Sequence, residues 1–223
     1  MRISTLLAIV AVLNGVCAAN SAVYAADQQV CHLQPVADSN AALRHSQSVG
    51  VIYSEDTVSN LEYLQQYHDV ALGGIEDGAL DPRIQNAFIQ SSDPKLAIDW
   101  LQASLRKAFA SVTVYDSLDA LMQARPDVVV KLDTFNQLVT QANTQAEASY
   151  VATFYDSNLQ YIGRAEGYSG KALTSIWVQH KPAAQIAAQI NQQRVLQVNA
   201  LKQFDASLSA LVAPSEVARV AAN

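Results

Sequence analysis

The sequence predicts an α+β fold, with a mixed, mostly antiparallel sheet, helices on one face and a long C-terminal helix. Three observations carry that expectation. Short β-branched runs at Val49–Tyr53, Val112–Tyr115 and Val128–Phe135 are separated by amphipathic stretches. The strand candidates from Tyr150 onward follow one another with no helix between them, and Pro182 opens a helical stretch that runs to about Val212. Strands first spaced by helices and then joined as hairpins describe a sheet with a helical layer rather than a doubly wound parallel fold. The chain has 223 residues, half of them hydrophobic and 15% charged, which suits a single buried core and argues against disorder. Its net charge of −6 argues against gripping a phosphate backbone, so nucleic acid is not an expected partner.

Residues 1–26 read as a cleaved secretory signal. Arg2 supplies the positive start, Leu6 to Leu13 the apolar run, and the small residues around Ala25 and Ala26 the cleavage site. The apolar core, Leu6 to Val16, is short of the roughly 20 residues that a spanning helix needs, and no second long apolar segment follows. The expected location is the periplasm. The less favoured alternative is lipidation at Cys17, where Asn14 and Val16 stand in place of the Leu and small residue of a lipoprotein signal. After cleavage Cys31 is the one remaining cysteine, which excludes an intramolecular disulfide.

Residues 27–48 form a polar lead-in that is expected to be flexible, residues 49–212 the α+β domain, and residues 213–223 a frayed tail. Within the domain, Val49–Tyr53 is a strand. A helix capped by Asp56 or Thr57 runs to about Ala71, with Val58, Leu61, Leu64 and His68 on one stripe. Gly73-Gly74 ends it. The block Ile75–Ser92 holds a helical turn or two. Ser92-Asp93-Pro94 starts a helix through Phe109. Val112–Tyr115 is a strand, and a short helix, Leu118–Ala124, is capped by Asp116 or Ser117 and ended by Pro126. Val128–Phe135 is the strongest strand, with Lys131 and Asp133 alternating against Val130 and Leu132. Thr140–Ser149 reads as a polar loop. Asp156-Ser157-Asn158 then turns a hairpin between Tyr150–Tyr155 and Leu159–Ala165. Gly167 and Gly170 bound another turn, and Leu173–Val178 is a last strand.

No group of residues has a catalytic signature, so a non-enzymatic role is expected. No catalytic residue, metal ligand or cofactor site is assigned. His32, His45, His68 and His180 are dispersed, with no second ligand at zinc-site spacing. Gly167-Tyr168-Ser169-Gly170 lacks the spacing of a nucleophile elbow. Gly73 to Gly78 has glycines but two acids and no Lys, the wrong charge for an anion cradle. Asp77, Asp81, Asp116, Asp119 and Asp127 lack the ordered calcium-loop pattern, and Asp77, Asp81 and Asp116 read as caps and turns. Asp133 and Glu166 read first as solvated strand positions; as an acid and base pair across neighbouring strands, with His180 as a third group, they would need the fold to bring them into one cleft. The aromatic residues Tyr150, Tyr155, Tyr161, Tyr168 and Trp177 are the candidate partner-binding set, because amphipathic rings supply contact area with a polar tip.

Three segments, "DPKLAIDWLQASLRKAFASVTVYDS", "RPDVVVKLDTF" and "FYDSNLQYIGRAEG", occur in that order behind the secretory signal. In this order of elements the chain resembles the small envelope proteins of Gram-negative bacteria that assist transport and outer-membrane assembly. Among them are the auxiliary lipoproteins of ABC-type lipid transporters. The resemblance covers Val49 to Leu211 and departs at the lipoprotein cysteine. It implies a non-enzymatic accessory protein whose partner is an envelope protein or a lipid-transport component, and it carries over no catalytic residue. Two alternatives stand beside it. One is a small-ligand or lipid carrier, which needs a pocket lined by Trp100, Phe109 and Trp177. The other is a hydrolase with a non-local acid/base site, which needs Asp133, Glu166 and His180 to converge.

Overall fold

The computed structural model describes residues 39, 41–73, 81–140, 143–174 and 181–212. Its elements run β1 (Ser48–Tyr53), α1 (Glu55–Gly73), α2 (Pro82–Ser91), α3 (Lys95–Ala108), β2 (Ser111–Val114), α4 (Leu118–Ala124), β3 (Val128–Gln137), β4 (Gln145–Asp156), β5 (Tyr161–Ala172) and α5 (Ala183–Val212). The five strands form one sheet in the order β2-β1-β3-β4-β5. β1 lies parallel to both β2 and β3, and the long β3-β4 and β4-β5 pairs are antiparallel. The chain is an α+β protein, with a mixed sheet and a long final helix.

Alternation along the strands sorts their side chains onto two faces. Val128, Val130 and Leu132 of β3 point to the same side as Ala148, Tyr150, Ala152 and Phe154 of β4. There they meet Leu101 and Leu105 of α3 and Leu201, Phe204 and Leu208 of α5, forming the main core. A second cluster, Ala87, Val139, Ala146, Leu173, Ala187 and Ile190, continues it between α2 and the first half of α5. The short α4 lies on the opposite face: a Cβ on Gly50 would come within 2.8 Å of Pro126 and 3.2 Å of Leu121. Removing that atom is what lets α4 sit over β1.

The local chemistry behind several elements is as the sequence predicts. Ser117 caps α4 by accepting the Ala120 N–H, and Arg125 closes it in the left-handed region at φ 50° before Pro126. The Asp156 carboxylate accepts the N–H groups of Asn158 and Gln160, each at 2.9 Å, and so builds the β4-β5 turn.

Elsewhere the structure corrects the reading. Residues 75–80 lie outside the described residues, but Pro82–Ser91 is a ten-residue helix capped by Asp81, more than a turn or two. The expected loop Thr140–Ser149 is strand from Gln145 onward. Its small residues Ala146 and Ala148 face the core, while Glu147 and Ser149 face outward, an alternation too weakly apolar to stand out. Gly167 and Gly170 bound no turn, since β5 runs through both. A Cβ on Gly167 would lie 1.9 Å from the Ala200 carbonyl oxygen, so this glycine lets α5 close onto the sheet. Leu173 and Thr174 follow β5 outside any strand, and residues 175–178 of the expected last strand lie outside the described residues.

Two helices take up strand backbone groups that no neighbouring strand pairs. Beyond Tyr53, where β1 ends, α1 takes its place beside β3. The Thr57 hydroxyl accepts the Thr134 N–H and donates to the Leu132 carbonyl. Asn60 donates to the Asn136 carbonyl, and the Tyr63 phenol accepts the Leu138 N–H. The predicted stripe of α1 is therefore only partly right. Leu64 is buried, but Thr57 and Asn60 hold the interface, and Val58 is 47% exposed. His68 is half-buried and its Nδ1 lies 3.1 Å from the Ile89 carbonyl. At the far edge, the Glu166 N–H donates to Ser207 and the Tyr168 N–H to Gln203, both on α5. Covering unpaired strand groups in this way removes a template for strand addition.

Candidate functional site

The face of β3, β4 and β5 turned away from α3 and α5 is left open beyond the reach of α4. Its side chains fall into rows set by the strand register. Lys131, Thr153 and Arg164 form one row, Asp133, Val151 and Glu166 the next, and Phe135, Ser149 and Tyr168 the third. On the other side of the Lys131 row, Tyr155 and Tyr161 meet edge to face with centroids 6.4 Å apart. Phe135 and Tyr168 are 47% and 53% exposed, large rings that no other described element covers.

The charges on this face are paired along each strand. Lys131 contacts Asp133 at 3.2 Å, and Arg164 pairs with Glu166. Partial burial pushes the Tyr155 phenol above its ordinary value.

A cleft of about 620 Å³ opens where this face meets α1. Tyr63 and Tyr67, with ring centroids 4.9 Å apart, form one side of it, and Phe135 and Asp133 form the other. Burial raises the Tyr63 phenol above its usual value, and the hydrogen bond from Leu138 works against that rise. The lining combines aromatic, amide and hydroxyl side chains with the carboxylates of Asp56 and Asp133 and, among the described residues, no basic side chain.

The structure divides the predicted aromatic set. Tyr155, Tyr161 and Tyr168 lie on the open face. Tyr150 does not: it is fully buried on the core side, and its hydroxyl donates to Asn136 at 2.7 Å, so it is a core residue and no contact residue. An even-numbered position on β4 faces the helices, and that parity decided its place. Trp177 lies outside the described residues.

Asp133 and Glu166 share the open face but stand on β3 and β5 with Val151 between them, each paired to a base on its own strand. His180 lies outside the described residues. Of the rings named for a carrier pocket, Trp100 and Phe109 do not line one, and Trp177 lies outside the described residues. Phe109 packs on Phe154 in the core, and the Trp100 indole donates to Asp205 across the α3-α5 contact. Asp81 and Asp127 act as a cap and a strand tie, Asp127 through the Ser48 N–H and hydroxyl. Among the described residues no group of three His, Cys, Asp or Glu is placed to hold a metal ion. Among them, too, no helix is long and apolar enough to cross a membrane.

The sequence reading missed Phe135, Tyr63 and Tyr67. Phe135 shares the odd-numbered phase of Lys131 and Asp133, which was the available signal. Tyr63 and Tyr67 follow Asn60 at helical spacing.

The class these features define is an α+β protein with one helix-covered sheet face and one open, aromatic and charge-paired face. No family model matches the chain, and no curated protein sequence matches it. Among solved structures it is similar to a variant PelC dodecamer from Paraburkholderia phytofirmans, with TM-score 0.34 and 14% identity over 71% of this chain and 95% of that one. A second crystal form of the PelC dodecamer gives TM-score 0.30 and 13% identity over 71% and 93%. Likeness this low carries neither site nor function across.

Proposed function

We propose that this chain is a non-enzymatic accessory protein of the cell envelope, exported by its N-terminal signal, that works by holding another envelope component against its open sheet face. The observation behind this is that face itself. Large rings lie exposed beside ion pairs on a β surface, whereas backbone groups of β3 beyond the end of β1 and of the outer edge of β5 are taken up by α1 and α5. Exposed aromatic area on a rigid sheet is the usual composition of a contact surface.

The test is site-specific photocrosslinking in the encoding organism. A crosslinker in place of Phe135 or Tyr168 is expected to trap a defined envelope protein. The same group in place of Val195, which is 56% exposed on α5, is expected to trap none. Equal labelling from both positions, or none from the face, overturns the reading. Intact mass of the exported chain tests the address: a start at Ala26 or Asp27 agrees with it, and acylation at Cys17 replaces it with a lipid anchor.

The cleft beside Tyr63 and Phe135 favours one second reading, a small-ligand carrier, since its volume and aromatic walls suit a modest organic molecule. Native mass spectrometry of the exported protein separates the two: a stoichiometric small molecule retained from the envelope favours the carrier.

A further inference from the structure

The open face has an internal symmetry of charge that bears on which partner it fits. Along the strands the rows run aromatic, basic, acidic, aromatic. Tyr155 and Tyr161 come first, then Lys131 and Arg164, then Asp133 and Glu166, then Phe135 and Tyr168. The register across β3, β4 and β5 keeps the two charged rows straight, because Lys131 pairs with Thr153 and Thr153 with Arg164, while Asp133 pairs with Val151 and Val151 with Glu166; a register shift after Phe154 offsets the Tyr155 and Tyr161 row.

Such an order is self-complementary. A two-fold axis lying just above the face, across the strands and midway between the basic and acidic rows, exchanges those rows. Lys131 of one copy then opposes Asp133 of the other, Arg164 opposes Glu166, and Tyr161 opposes Tyr168. Each contact occurs twice, as a two-fold interface requires. The same operation carries α4, with its exposed Leu118 and Met122, toward the cleft beside Phe135 of the second copy.

We propose that the open face of β3, β4 and β5 is a self-association surface and that its partner is a second copy of this chain. The inference rests on the reading of this face as a contact surface and names the occupant. Two such faces pack as a sandwich about 10 Å thick, the spacing of sheets whose inner side chains interdigitate. The existing ion pairs do not oppose this. Arg164 and Glu166 are more than half exposed, so exchanging a same-strand partner for one across the interface costs little, and the new pairs are better shielded from water. The arrangement also selects against wrong partners, since a surface with one sign of charge leaves one row facing its like.

Sedimentation of the full exported chain over a concentration series tests this, together with two reciprocal variants. One joins Lys131→Glu with Arg164→Glu and makes both central rows acidic. The other joins Asp133→Lys with Glu166→Lys and makes both basic. The wild type is expected to dimerise, and each variant alone to do so at least about tenfold more weakly. An equimolar mixture of the two is expected to restore the dimer, which a merely misfolded variant could not do. A wild type that stays monomeric, a variant that self-associates undiminished, or a mixture that does not associate overturns the proposal. A monomer whose Phe135 crosslinks to a different envelope protein removes the second copy and leaves the contact reading standing; a monomer with no crosslink from the face removes both.

Discussion

The Thr57 hydroxyl accepts the backbone N–H of Thr134 at 2.8 Å and donates to the Leu132 carbonyl at 2.9 Å. One side chain from a helix thus does for β3 what a neighbouring strand would do, at the point where β1 has ended. All of these groups are buried, so water cannot replace the hydroxyl. Thr57→Val keeps the shape but leaves the buried Thr134 N–H without a partner, while the Leu132 carbonyl keeps the Ser54 N–H at 3.0 Å; the change costs about 1–3 kcal/mol. Thr57→Ser keeps both hydrogen bonds and is expected to cost less. Urea unfolding of the two variants decides the point: a loss in Thr57→Ser as large as that in Thr57→Val would mean that the methyl group contributes as much as the hydroxyl.

Gly167 faces the α5 backbone, and Gly163 faces only a side chain. A Cβ at Gly167 meets the Ala200 carbonyl oxygen at 1.9 Å and the Phe204 nitrogen at 2.6 Å, so the helix itself must move. At Gly163 the nearest atom is the end of Leu211 at 2.8 Å, which can rotate away. Gly167→Ala is expected to destabilise by about 1–3 kcal/mol or more, as overpacking does, and Gly163→Ala by clearly less. Thermal unfolding of both ranks them; the reverse order would contradict the close approach of α5.

Burial pushes the Tyr150 phenol well above its ordinary value, with the Asn136 hydrogen bond opposing the rise only in part. A raised folded-state value means that the fold keeps a proton which the unfolded chain gives up. The stabilisation is therefore complete below about pH 10 and is lost as the pH climbs through the unfolded and then the folded value. Tyr150→Phe removes this titration at a cost of about 1 kcal/mol in neutral solution for the lost hydrogen bond. Comparing urea midpoints at about pH 8 and about pH 11 should show a shallower alkaline loss in the variant. An unchanged slope would mean that Tyr150 does not contribute to it.

Asp81 is held at about 2, first by hydrogen bonds from the Arg83 guanidinium and then by the Arg83 N–H. A depressed carboxylate stabilises the fold above its unfolded value and ceases to do so as the pH falls toward the folded one. The cap on α2 therefore weakens between about pH 4 and about pH 2. Carboxyl NMR titration is expected to place the Asp81 midpoint near the lower limit. Arg83→Gln should move it upward while the backbone bond remains; a midpoint that does not respond rules out the guanidinium as the cause.

The elements legible in the sequence were those with strong local signals. Leu118–Ala124 showed a cap at Asp116 or Ser117 and the Pro126 stop, and Val128–Phe135 its β-branched run and the Lys131 and Asp133 alternation. The odd-numbered phase of that alternation is the phase of the open face, so half of the candidate site was already visible without its partners.

What escaped depended on contacts between distant segments. Tyr150 looked like its neighbours Tyr155 and Tyr161, and only its parity on β4 sent it under α5. Gly167 carried the ordinary mark of a turn, yet its glycine is there for Ala200. Thr57 and Asn60 lay off the apolar stripe because the surface they cover is a strand edge, which needs donors and acceptors. Caps, turns and periodicity act over a few residues and can be read along the chain. The choice of a small or polar residue at a helix-sheet contact answers to atoms brought close by folding, and those are not neighbours in sequence.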